Sequence, residues 1–158
     1  MWFLDFEAYQ PSSGRFIVKE IAILSDDGCR CYNYFVRAPP KDAVQIDNTL
    51  YYQFRQHNLR WEFGDYSFTE AMRDIIGKVR GSLVYVKGLE KTLFIAQYFT
   101  SVAEIDWVPA FKHLNNFPNE VCDVQHGLQC ARRKVHELRH AHIRHLKRID
   151  SGIGDTFS

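Results

Sequence analysis

Three strand-like runs in the first 37 residues, joined by turns too short to hold a helix, constrain the fold more than any other feature of this chain. In the first, Trp2, Leu4, Phe6 and Ala8 alternate with Phe3, Asp5 and Glu7, so one face is apolar and the other carries two acids. After the turn signal Gln10-Pro11-Ser12-Ser13-Gly14, a β-rich run from Arg15 to Leu24 ends at Asp26-Asp27-Gly28, a strong hairpin sequence. The third run, Arg30 to Arg37, alternates through Tyr32, Tyr34 and Val36 and stops before Pro39-Pro40. Three consecutive antiparallel strands are the expected outcome.

The remainder alternates helix and strand. Residues Lys41 to Asp65 read as a polar, aromatic loop with a short helix near Leu50 to Gln56. Ser67-Phe68-Thr69-Glu70 is a capping box that opens a helix over Thr69 to Val79. Ser82 to Val86 is a short apolar strand of the kind buried on both faces, followed through Gly88 by a helix from Leu89 to Phe99 and a strand from Val102 to Val108. Val121 to Lys147 reads as a long final helix, with Gly127 as a point of interruption. The order β-β-β-α-β-α-β-α predicts an α/β domain with a mixed five-stranded sheet flanked by helices, the order of the ribonuclease H-like fold. One domain over 1–150 and a flexible tail over 151–158 are expected.

The 158 residues are 46% hydrophobic and 25% charged, enough apolar material for one core. No apolar run reaches the roughly 18–20 residues of a membrane span, and acids stand where a signal peptide carries bases, so an intracellular protein, cytoplasmic or nuclear, is expected. In a reducing compartment Cys29, Cys31, Cys122 and Cys130 read as packing residues or metal ligands rather than disulfides.

Asp5 and Glu7, two apart on a strand, place their carboxylates on one side of the sheet, about 6–7 Å apart. Like charges that close call for a cation, and Mg²⁺ or Mn²⁺ suits oxygen ligands and substrate phosphates. The alternative is a solvent-facing strand edge that carries two acids. Cys122, His126 and Cys130, spaced i, i+4, i+8, share one stripe of a helix and can offer three ligands to a zinc ion, which needs a fourth from elsewhere. Small buried cysteines beside a satisfied histidine are the alternative here.

The Asp-x-Glu on the first strand of this element order resembles the first motif of the DEDD 3′-5′ exonucleases. That resemblance implies a divalent-metal nuclease in which Asp5, Glu7 and Glu90 hold the metals and His126 is the general base, with Cys130 where the family has its last Asp. A thiolate is a poor Mg²⁺ ligand, so the ordinary two-metal arrangement would need another acid such as Asp123. The chain also resembles the exonuclease-like domain of the Maelstrom family, through Lys19-Glu20-Ile21-Ala22-Ile23, Tyr85-Val86-Lys87-Gly88 and the Cys122, His126, Cys130-Ala131 set. This second resemblance implies zinc held by Glu20, Cys122, His126 and Cys130, single-stranded RNA as partner with at most weak nuclease activity on it, and a piRNA or transposon context. The equal spacing of the Cys-His-Cys residues and the retention of Asp5 and Glu7 depart from that family, and His113, His136 and His140 are alternative fourth ligands. Tyr85-Val86-Lys87-Gly88-Leu89-Glu90-Lys91 also resembles uncharacterised arthropod and mobile-element proteins.

Residues 132–148 hold seven Lys and Arg against the single acid Glu137, a local charge of +6. Arg132, Arg133, Lys134, Arg139, Arg144 and Lys147 are therefore candidates for contacting nucleic acid phosphates, with a solvated helix face as the plain alternative. A third reading, a non-catalytic interaction module with a protein partner, draws on the aromatic cluster Tyr51, Tyr52, Phe54, Trp61, Phe63, Tyr66 and Phe68, for which covering the domain's own sheet is the plainer use.

Overall fold

The alternation in the first run makes it the central strand. The computed structural model describes residues 1–11, 15–40, 54, 57–105 and 130–150. In it, β1 (Trp2–Tyr9), β2 (Ile17–Ser25) and β3 (Cys31–Phe35) form an antiparallel meander, as their turn signals require. The apolar run becomes β4 (Val84–Lys87), which lies parallel to β1, and β5 (Val102–Ile105) lies parallel to β4. The sheet order is β3-β2-β1-β4-β5, mixed and five-stranded as expected.

Two layers of helix cover the sheet, and the period-two pattern of β1 decides which residues meet which layer. Trp2, Leu4 and Phe6 pack with Ala71, Met72, Ile75 and Val79 of α1 (Phe68–Val79) and with Phe94 and Ile95 of α2 (Leu89–Ile95). Phe3 lies on the opposite face with Ala22, Leu24 and Ile105, under Ala131, Val135, Leu138 and Ala141 of α3 (Ala131–Asp150). α1 begins at the expected capping box: the Ser67 hydroxyl accepts from Glu70 N–H, and the Glu70 carboxylate accepts from Ser67 N–H.

Several boundaries differ from expectation. β3 is shorter than Arg30–Arg37, and Val36 instead bridges Tyr66. α2 stops at Ile95, four residues before Phe99, because Gln97 and Tyr98 donate to Phe94 and Ile95, three residues back, and tighten the last turn. The described helix α3 starts at Ala131, so Cys130 precedes the helix rather than continuing a stripe within it. The helix begins there because the carboxylate of Glu20, on the neighbouring strand, accepts the Ala131 N–H at 2.8 Å. Residues 106–129, which include the rest of the strand expected to Val108, and residues 41–53 and 151–158 lie outside the described residues.

Tyr51 and Tyr52 lie outside the described residues, and the described members of the aromatic cluster pack against the chain's own sheet and α2. Trp61 packs on Tyr9, Phe63 on Phe35, Tyr66 on Tyr34, and Phe68 on Phe94 and Tyr98. Lys19, wholly buried on β2, ties down this segment by donating to the carbonyls of Trp61 at 2.7 Å and Phe63 at 2.5 Å. Burial pushes its ammonium down to about pKa 8. No described helix is long and apolar enough to cross a membrane.

Candidate functional site

Asp5 and Glu7 point to the α3 face of the central strand, where the sheet is covered rather than open. Asp5 is 1% and Glu7 8% exposed, which excludes the reading of a solvent-facing strand edge. Glu20 joins them, because antiparallel pairing sets Glu7 directly opposite Glu20 on β2. Three acids thus crowd one buried patch at the foot of α3.

The charge of this patch is met by two lysines. Lys91, in the first turn of α2, pairs with Asp5 Oδ1 at 2.9 Å and donates to the Phe6 carbonyl at 2.6 Å. Its ammonium also lies 4.9 Å from the centre of the Phe6 ring. Lys134, one turn into α3, is ion-paired with Glu7 Oε1 and lies 4.0 Å from Asp5 Oδ2. Burial pulls the Lys134 ammonium down, but Asp5 and Glu7, with a further contribution from Glu20, outweigh it and hold the pKa above the ordinary lysine value. For Glu7, burial is the largest influence and raises its pKa above 4.5, partly offset by Lys134 and Lys91.

This arrangement does not fit a divalent cation. An ion bound by Asp5 and Glu7 would meet an ammonium group on each carboxylate, so both lysines would have to move before it could enter. Asp5 Oδ2 is the one carboxylate oxygen of the β1 pair that is buried without a hydrogen bond among the described residues, and it faces Lys134. Glu90, the expected second acid, is exposed on α2, while its neighbour Lys91 is the residue directed at Asp5. His126 lies outside the described residues.

A second cluster sits where β2 meets the start of α3. Glu20 Oε1 accepts from Ala131 N–H, and Glu20 Oε2 accepts from Asn33 Nδ2 at 2.9 Å and lies 3.6 Å from the buried Cys130 Sγ. Tetrahedral zinc with bonds of about 2.0 Å to oxygen and 2.3 Å to sulfur separates those atoms by about 3.5 Å, so the two donors present fit such an ion. Cys122 and His126 lie outside the described residues, and among those described no three metal-ligating side chains converge. Cys29 is exposed and Cys31 half-buried, and neither forms a disulfide among the described residues.

Along α3 the basic residues divide by direction. Lys134 is buried and spent on the carboxylates, whereas Arg132 and Arg133 are half-buried and Arg144 and Lys147 exposed. Arg139 clamps the β2–β3 turn, donating to the carbonyls of Asp26 at 2.9 Å and Asp27 at 3.1 Å. His142 packs between Phe3 and Tyr85, its ring 5.5 Å from each, and burial lowers its pKa.

The sheet order, with helices on both faces and acids on the central strand, can be set beside known structures. The chain resembles a crystal structure of a full-length 3′-exonuclease, with a TM-score of 0.55 and 11% identity over 92% of this chain and 80% of that one. The fold is ribonuclease H-like. At that identity the likeness extends to the fold alone, and no family model and no curated protein matches the sequence. Both lysines reach the acids only through the tertiary fold, so the local sequence does not mark them as partners. One signal was available for Lys134: residues 131, 134, 135, 138 and 141 follow the three- and four-residue spacing of a buried helical stripe.

Proposed function

We propose that this protein is a non-cleaving ribonuclease H-like domain that binds single-stranded RNA and holds a structural zinc ion beside Glu20 and Cys130. The observation that carries the reading is the pairing of Asp5 and Glu7 with Lys91 and Lys134, which supplies from within the chain the positive charge that a nuclease of this fold would take from metal ions. The 3.6 Å approach of Glu20 Oε2 to Cys130 Sγ supports the zinc corner, with Cys122 and His126 completing the set that the Maelstrom resemblance implies. Arg144 and Lys147, exposed on a helix with few acids, support an anionic partner, and a piRNA or transposon setting follows from the same resemblance. The exonuclease reading, built on Asp5, Glu7 and Glu90, draws on the fold of the solved neighbour but requires both lysines to leave their carboxylates.

The test combines metal analysis with an RNA assay. About one zinc per chain in the wild type and little in Cys130→Ser is expected, together with salt-sensitive binding of a labelled oligouridine and no shortening of it in Mn²⁺. Mn²⁺-dependent shortening that Asp5→Asn abolishes would replace this reading with the exonuclease. Absence of zinc from both proteins would remove the metal corner.

A further inference from the structure

On the face of the sheet opposite Asp5 and Glu7, a groove of about 860 Å³ runs between the β3 edge of the sheet and α1, within the size range of ligand-binding clefts. Its walls interleave rings with cations. Arg30 lies 4.8 Å over the ring of Trp2, Lys78 lies 4.5 Å over that of Tyr32, and Tyr66 is 38% exposed at the rim. Arg73 and Arg80, both exposed on the α1 side, add two more positive groups.

The acids in the groove are already engaged within the protein. Asp74 accepts from the Tyr34 hydroxyl and pairs with Lys78 at 2.9 Å, and Glu70 belongs to the capping box and lies 3.6 Å from Arg37. Four cations against two committed acids leave the groove positive. An acidic peptide would use the charge alone. The ring of Tyr66 and the planar guanidinium groups also provide flat surfaces spaced among phosphate-binding groups, the combination on which single-stranded nucleic acids stack.

We infer that this groove between β3 and α1 is where single-stranded RNA lies, with a base stacked on Tyr66 and phosphates on Arg30, Arg73 and Arg80. The inference rests on the RNA-binding reading above but moves the contact from α3 to the opposite face of the sheet.

The test measures binding of a fluorescein-labelled oligouridine across a salt series. Arg73→Glu/Arg80→Glu weakens binding at least tenfold and flattens the dependence of log affinity on log salt by about 1.4, the value for two phosphate contacts on a single strand. Tyr66→Ala weakens binding by about fivefold or more, while Tyr66→Phe, which keeps the stacking face, binds as the wild type does. Thermal melts of each variant in the absence of RNA separate lost binding from lost folding, and Tyr66→Phe keeps the stacking test independent of any fold defect. Wild-type affinity in Arg73→Glu/Arg80→Glu, with the loss appearing instead in Arg144→Glu/Lys147→Glu, would overturn the groove and keep RNA binding on α3. No binding by the wild type would overturn both. Displacement of a poly-glutamate peptide but not of RNA by the groove variants would assign the groove to an acidic protein instead.

Discussion

Replacing Lys134 with Met keeps the apolar stem and removes only the ammonium. In the native protein that ammonium is buried, paired with Glu7 and 4.0 Å from Asp5, so the variant leaves two carboxylates in a covered patch with Lys91 as their remaining partner. Removing one side of a buried pair costs about 3–5 kcal/mol, because the stranded charge keeps its desolvation penalty. In a domain of this size each kcal/mol moves the melting temperature by about 2–4 °C, which gives a fall of about 6–20 °C. The loss depends on pH, with a sign fixed by Glu7, whose folded pKa is already above 4.5 through burial and rises further once Lys134 stops opposing it. A group with a raised folded pKa favours the folded state fully below its unfolded pKa and loses that contribution as pH rises through the folded value. Lys134→Met is therefore least stable relative to wild type near pH 8 and approaches it near pH 5. Urea unfolding at the two pH values reads the difference, and Lys134→Met/Glu7→Gln, which removes both charges, recovers most of the loss at pH 8. An equal deficit at both pH values, or one below about 1 kcal/mol at pH 8, would refute the claim that Lys134 neutralises these acids.

With both ammonium groups gone, Asp5 and Glu7 become a site a divalent ion can enter, so Mn²⁺ raises the melting temperature of Lys91→Met/Lys134→Met and leaves the wild type unchanged in a thermal shift assay. Gly64 has φ +146°, and a Cβ there would fall 2.4 Å from the backbone of Val36 and Arg37, whereas nothing lies within 4 Å of a Cβ at Gly77 inside α1. Chemical denaturation should accordingly find Gly64→Ala destabilised by at least ~2 kcal/mol and Gly77→Ala stabilised by about 0.5–1 kcal/mol. Lys19 is held near pKa 8 by burial against 10.5 in an unfolded chain, so between those values the unfolded state binds the extra proton and stability gains up to about 1.4 kcal/mol per pH unit from this residue. Urea midpoints measured from pH 8 to 10 should lose that component in Lys19→Met.

The sheet was legible because its strands carry period-two patterns bounded by Pro, Gly and Asp, and because the apolar Val84–Val86 run suits a strand covered on both faces. The acids of β1 were legible for the same reason. Their environment was not, since burial of Asp5 depends on α3, which contacts it from more than 120 residues away. Lys134 stood inside a basic run that reads as a solvated face, and only its place in the 131–141 stripe distinguishes it from Arg133. Lys91 was masked by Glu90, which fits the exonuclease motif by position but faces solvent. Spacing alone places Cys130 inside a continuous helix, whereas capping by Glu20, a contact made across the fold, begins the helix one residue later.

The contact between α3 and the acids also sets the alignment of the last helix. Ala131, Val135, Leu138 and Ala141 pack a small-to-medium apolar stripe against Phe3, Ala22 and Leu24, and non-directional apolar contacts discriminate sliding positions less sharply than paired charges do. A slip of one turn moves every side chain by about 5.4 Å, which would carry Lys134 off Glu7 and take the Ala131 N–H away from Glu20. Each misplaced docking would therefore strand buried acids, so the polar foot of the helix indexes its position where the hydrophobic stripe alone would leave it ambiguous. That index joins the first strand to the last helix, so it exists only where residues 5–7 and 134 have been brought together from opposite ends of the fold.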